Sequence, residues 1–69
     1  MKLKHQQEID IEIRRLAFRL KDNCIALFQL PLMIYTQIIE DNKTRRKPYK
    51  VSFKRIQKII HELVNDGSL

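Results

Sequence analysis

The side chains with the most evident chemistry are the basic residues of the segment 43–58. Half of this sixteen-residue segment is Lys or Arg, and none of it is Asp or Glu. The basic residues are Lys43, Arg45, Arg46, Lys47, Lys50, Lys54, Arg55 and Lys58. Eight like charges at this density repel one another, and we expect no nearby acidic residue to offset them. The segment is therefore predicted to bind a polyanion, most often the phosphate backbone of a nucleic acid.

These basic residues are predicted to have two different roles. Those before residue 52 lie in a polar loop, where they would contact phosphates without regard to sequence. Those after residue 52 lie on a helix, which has the width that fits a major groove. Arg55 and Gln57 are the better candidates for reading bases, because Arg forms paired hydrogen bonds with guanine and Gln with adenine. The predicted nucleic-acid site is Lys43, Arg45, Arg46, Lys47, Lys50, Lys54, Arg55, Gln57 and Lys58.

Catalytic chemistry has little support in the sequence. The two histidines, His5 and His61, and the single Cys24 form no readable set of nucleophile, base and orienting group. No glycine-rich phosphate loop and no Cys/His cluster with metal-ligand spacing is present. We predict that the protein is not an enzyme, holds no metal or cofactor, and takes no small-molecule substrate.

Size and composition restrict the elements that must position the basic residues. The chain has 69 residues with one Gly and two Pro, which predicts a single all-α domain over 1–69. The net charge of +6 is uneven, since residues 1–40 hold six basic and five acidic residues (+1) and residues 41–69 hold eight and three (+5). A lone cysteine and the lack of a secretory signal or long apolar stretch predict a cytoplasmic protein outside the membrane.

Apolar periodicity predicts a small three-helix bundle with a long first helix and a basic loop before helix three. The helices are expected at about 5–29, 31–42 and 52–65. Pro31 suits the first turn of helix two, Ser52 is a plausible N-cap of helix three, and Gly67 is a natural left-handed C-terminal residue. The predicted apolar stripe of helix one is Ile9, Ile13, Leu16, Ala17, Leu20, Cys24, Leu27 and Phe28, and that of helix two is Leu32, Ile34, Tyr35, Ile38 and Ile39.

A second apolar line on helix one predicts an interface. Ile11, Phe18 and Ile25 are seven residues apart and would share a face outside the main stripe. This face would bind a second copy, giving a homodimer, although partial covering by the chain itself is an equal alternative. Asp22 and Asn23 are a candidate break in the helix.

The segment 52–69 resembles the recognition helix of winged helix-turn-helix transcription regulators. The resemblance rests on Ser52, Ile56, Ile60, Leu63, Gly67 and Leu69. It implies that the groove-facing positions are Phe53, Lys54, Arg55, Gln57 and Lys58. Two features depart from that family: the loop 42–51 is longer than the usual three- or four-residue turn, and the sequence ends at Leu69, where the wing would begin.

We therefore expect a small dimeric regulator of transcription or replication, of the kind found in phages and plasmids, that binds double-stranded DNA, with RNA as a possible ligand. The alternative is a protein-binding module or inhibitor that docks a larger host protein through helix one and the basic surface. A structural subunit of a nucleoprotein assembly is a third class.

Overall fold

Three helices form the part of the chain that the structure describes, and their order follows the predicted one. The computed structural model describes the backbone of residues 2–23 and 25–69 and the side chains of residues 6–23 and 25–69. Helix α1 spans Lys2–Leu20, α2 spans Leu30–Asn42 and α3 spans Phe53–Asn65, with short 3₁₀ turns at Lys21–Asn23 and Leu27–Gln29. The described residues contain no β-strand, and every helix contacts the other two. The prediction of an all-α three-helix bundle is confirmed.

The core is built almost entirely from aliphatic side chains, with each helix contributing one buried stripe. The buried members are Ile9, Ile13, Leu16, Ala17, Leu30, Ile34, Ile38, Ile56, Ile59, Ile60 and Leu63. The partly buried Tyr49 and Val51 pack against this core and anchor the loop that precedes α3. No polar side chain is buried among the described residues, so the core is held by apolar packing alone.

The first helix is shorter than the sequence predicted. It ends at Leu20 rather than near residue 29, and the apolar residues that follow do not continue its stripe. A straight helix over 5–29 would be about 37 Å long, whereas the longest dimension of the molecule is 32 Å. The chain turns instead at Asp22 and Asn23, two residues with low helix propensity, so that α2 packs back against α1. Cys24, predicted to lie on the helical stripe, is outside the described residues.

The start of α2 and both ends of α3 follow the predicted signals. Pro31 lies in the first turn of α2. The Ser52 hydroxyl accepts a hydrogen bond from the Arg55 backbone N–H at 3.2 Å and caps α3. Gly67 has φ +82, the left-handed conformation that ends a helix without strain only for glycine. Within α2 the buried stripe was predicted less well, because Leu32 and Ile39 are exposed.

None of the described helices combines the length and apolar character needed to cross a membrane.

Candidate nucleic-acid interface

The loop between α2 and α3 is closed by one asparagine side chain. The Asn42 side-chain amide donates to the Tyr49 carbonyl at 2.9 Å, and its side-chain oxygen accepts from the Tyr49 backbone N–H at 3.0 Å. These paired hydrogen bonds join the two ends of the segment 43–48. We call the segment 43–48 the basic loop. Its basic residues therefore lie in a short loop whose two ends are held together.

Arg45 is directed inward, unlike its neighbours in the basic loop. A terminal nitrogen of its guanidinium lies 3.7 Å from Glu12 of α1 and 3.8 Å from Asp41 of α2. The guanidinium carbon lies 4.4 Å from the centre of the Tyr49 ring, a cation–π distance. Only 27% of the Arg45 side chain is exposed. Arg45 therefore fastens the basic loop to the bundle.

Glu12 joins this arrangement to a second arginine on α1. The Arg15 guanidinium donates to Glu12 through Nε at 3.2 Å. This hydrogen bond, together with the negative charge of Glu12, raises the pKa of Arg15 above its ordinary value. Glu12 thus carries two guanidinium partners and places negative charge beneath the basic loop.

Arg55, predicted to read bases, also has an acidic partner. Its Nε donates to Asp10 of α1 at 2.8 Å, and one of its terminal nitrogens lies 2.8 Å from the same oxygen. Arg55 lies on the flank of α3 that faces α1, beside a groove of about 120 Å³ that Arg14 and Lys58 also line. Lys43, in turn, has its ammonium 3.1 Å from Glu40 in an exposed pair.

The expectation that no acidic residue offsets the basic segment is therefore wrong. Asp10, Glu12, Glu40 and Asp41 all carry basic partners from it. The first two are more than thirty residues away in the chain, so their proximity depends on how α1 packs and is not visible in the sequence.

Five basic side chains of the predicted site form no ion pair within the part of the chain whose side chains are described. They are Arg46, Lys47, Lys50, Lys54 and Lys58, and all five are exposed. We call them the free cations. Lys54 and Lys58 are one helical turn apart on the outward face of α3, with the exposed Gln57 beside them. The other three lie in the loop that leads into this helix.

Two residues near this surface were missed in the sequence. Arg14 borders the groove with Arg55 and Lys58 and extends the positive charge onto α1. Asn42 closes the basic loop. An asparagine just before a polar loop is a common turn signal, so Asn42 could have been found from the sequence, whereas Arg14 could not be placed without the packing of α1 on α3.

The predicted interface on α1 is only partly assembled. Ile11 is 65% exposed and Phe18 is also exposed, and their seven-residue spacing within α1 keeps them on one side of the helix. Ile25 lies after α1 has ended, so the prediction that it shares a helical face with Ile11 and Phe18 is wrong.

Residues 6–23 and 25–69 contain no group of three His, Cys, Asp or Glu side chains placed to hold a metal ion.

The structure defines a class of protein: a small helical bundle with positive charge concentrated on one helix and the loop before it. Comparisons with protein-family models, with curated proteins and with solved structures found no match to this chain.

Proposed function

We propose that this is a non-enzymatic, cytoplasmic nucleic-acid-binding protein that contacts double-stranded DNA through α3 and the basic loop. The observation that supports the proposal is the group of five free cations on neighbouring elements. Such a protein acts by occupying a site on DNA, which suits the control of transcription or replication.

Electrostatics favours a polyanionic ligand for the free cations. Lys54 and Lys58 are like charges four residues apart on a helix, an arrangement that costs about 0.2–0.5 kcal/mol. Glu62, which borders the same groove as Lys58, offsets only part of this cost. A phosphate backbone removes this repulsion and releases condensed counterions. Five neutralised phosphates would give a slope of about −4.5 for log affinity against log salt, or roughly a 500-fold loss of affinity between 50 and 200 mM salt.

The face of α3 also suits the groove of a duplex. A helix is about 10–12 Å wide and the major groove of B-DNA about 12 Å. With Lys54 and Lys58 at phosphates, Gln57 has access to base edges. Arg55 can contact a base only if its ion pair with Asp10 breaks. Phosphate contacts would therefore supply most of the affinity, and the preference for particular base sequences would be modest.

The proposal is tested by fluorescence anisotropy with a mixed-sequence DNA duplex at about 50 and 200 mM salt. The first variant is Lys54→Gln combined with Lys58→Gln. The matched control is Arg19→Gln combined with Lys21→Gln, which removes the same charge at the end of α1, outside the proposed surface. We expect the α3 variant to make the salt slope shallower by about 1.8 and the control to leave it nearly unchanged.

Equal losses in both variants would mean that only total charge matters and would contradict a defined surface. No binding by the wild-type protein at the lower salt would overturn the proposal. Running the same titration with an RNA duplex decides between the two nucleic acids.

A second candidate function is a protein-binding module that uses α1. Ile11 and Phe18 support it, because two large apolar side chains remain exposed on one helix. A host protein captured by the wild-type chain after nuclease treatment, and lost with Ile11→Ser, would favour this function.

A further inference from the structure

A row of uncharged polar side chains lies on the outward surface of α3. Its members, which we call the polar row, are Gln57, His61 and Asn65. They are four residues apart, so they are successive neighbours along one side of the helix. All three are exposed, whereas the buried residues of α3 lie on the opposite side. The polar row is therefore open to a ligand along about two helical turns.

The side chains of the polar row are not used by the fold. Among the residues whose side chains are described, none of the three has a hydrogen-bond partner. Three other amide side chains differ in this respect. Gln29 accepts a hydrogen bond in the turn before α2, Gln37 donates one within α2, and Asn42 closes the basic loop. The polar row thus keeps its donors and acceptors available for a partner.

Positive charge beside the polar row makes a nucleic acid the partner that fits it. Lys54 and Lys58 follow each other by one helical turn along the row, and Arg14 of α1 borders the same groove as Lys58. Glu62, the one acidic residue of α3, lines that groove and so lies on the flank towards α1, outside the row. Hydrogen-bonding groups beside a line of cations match a duplex, in which base edges lie between phosphate backbones.

We propose that the polar row reads base edges in the major groove of double-stranded DNA. Gln57 and Asn65 each contact an adenine, because the side-chain amide pairs with N6 and N7 of that base. His61 lies between them and donates a ring N–H to the N7 or O6 acceptor of guanine. Arg55 takes no part, because Asp10 holds its guanidinium. This inference rests on the proposed function, since it requires α3 to lie in a groove of DNA.

The spacing of the polar row matches the spacing of base pairs. Neighbouring members are about 6 Å apart along the helix axis, and neighbouring base pairs are about 3.4 Å apart. A helix that lies along the groove therefore places neighbouring members about two base pairs apart. Gln57 and Asn65, about 12 Å apart, reach base pairs separated by roughly three to four steps. The polar row thus predicts a site with two A·T pairs at that separation and a G·C pair between them.

The test is selection by the full chain from a library of DNA duplexes with a randomised centre, followed by sequencing of the bound fraction. We expect A·T to be preferred at the two outer positions by at least about fivefold each. Gln57→Ala should remove the preference at one position, Asn65→Ala that at the other, and His61→Ala the preference for guanine between them. Gln7→Ala is the matched control, because it removes an exposed amide from α1 and should leave all three preferences unchanged.

These variants change exposed side chains, so circular dichroism should show the helix content of the wild-type protein. Binding with the expected salt dependence but without base preference would overturn this inference and leave the proposed function standing. No binding to any duplex at about 50 mM salt would overturn both. Preferences that survive in the three row variants and disappear with Arg55→Ala would move the readout to Arg55. Loss of the preferences with Gln7→Ala would equally exclude the polar row as their source.

Discussion

Arg45 and Arg46 are adjacent in the sequence, yet the structure gives them opposite roles. Arg45 contacts Glu12, Asp41 and the Tyr49 ring, whereas Arg46 is a free cation. Changing each arginine to alanine therefore separates stability from binding. Arg45→Ala should destabilise the fold and leave the salt dependence of DNA binding unchanged. Arg46→Ala should leave the stability nearly unchanged and make the salt dependence of DNA binding weaker.

The size of the Arg45 effect follows from its contacts. Each partly exposed ion pair contributes about 0–1 kcal/mol, and the ring contact contributes about 0.5–1 kcal/mol. Among the described residues the buried Arg45 Nε has no hydrogen-bond partner, which offsets roughly 1 kcal/mol of this gain. The net loss on Arg45→Ala is about 1 kcal/mol, which lowers Tm by about 4–8 °C in a domain of this size.

For Arg46→Ala the expected change in the free energy of unfolding is within about 0.5 kcal/mol, as for other exposed residues. Its salt slope should become shallower by about 0.9, which corresponds to one lost phosphate contact. Thermal melts followed by circular dichroism and anisotropy titrations at several salt concentrations measure both quantities. If Arg45→Ala melts like the wild-type protein, or flattens the salt slope as much as Arg46→Ala, the role assigned to Arg45 is refuted.

Three further predictions concern the surroundings of the same surface. Asp10→Asn removes the acidic partner of Arg55 and so frees this arginine to contact a phosphate. The salt slope should then steepen by about 0.9 and the affinity for DNA should rise severalfold. Anisotropy titrations measure both quantities, and a lower affinity would contradict the prediction. Asn42→Ala removes both hydrogen bonds that close the basic loop and should cost about 1–2 kcal/mol in urea unfolding, while the salt slope stays the same because no cation is lost. Hydrogen bonds from the Ser68 side chain and backbone lower the pKa of Asp66. Because this pKa is lower in the folded state, the stabilisation is present above the unfolded pKa and is lost as pH falls through the folded value. Tm of the wild-type protein should therefore fall more between about pH 5 and pH 2 than Tm of Asp66→Asn, and equal falls would contradict the contact.

Local signals in the sequence were sufficient to predict most of the fold. Pro31, Ser52 and Gly67 favour helix ends through their own backbone or side-chain chemistry. Each lies at the helix end where it was predicted. The buried residues of α3, Ile56, Ile59, Ile60 and Leu63, recur at helical spacing, so periodicity alone indicates which side of that helix faces the core. Such features depend on neighbouring residues and need no knowledge of the packing.

Periodicity carried the prediction of helix one past its true end, although Asp22 and Asn23 were a candidate break. The partners that α1 gives the basic segment, Asp10 and Glu12, could not be read from the sequence. Apolar residues continue at helical spacing past Leu20, so periodicity alone gives no stop. The helix ends just before Asp22 and Asn23, and α2 then packs back against α1. The pairing of Asp10 with Arg55 joins residues 45 positions apart and depends on how two helices pack.

The two hydrogen bonds between Asn42 and Tyr49 also bear on how this protein tolerates sequence change. Because they join the ends of the basic loop, lengthening the segment between them costs little additional closure entropy, only about 0.6 kcal/mol for each doubling of its length. No residue of the basic loop belongs to the buried core, although Arg45 contacts Glu12, Asp41 and Tyr49 beside it. Insertions and substitutions there can therefore accumulate without refolding the bundle. The proposed affinity for a polyanion could in this way change one residue at a time on an unchanged scaffold.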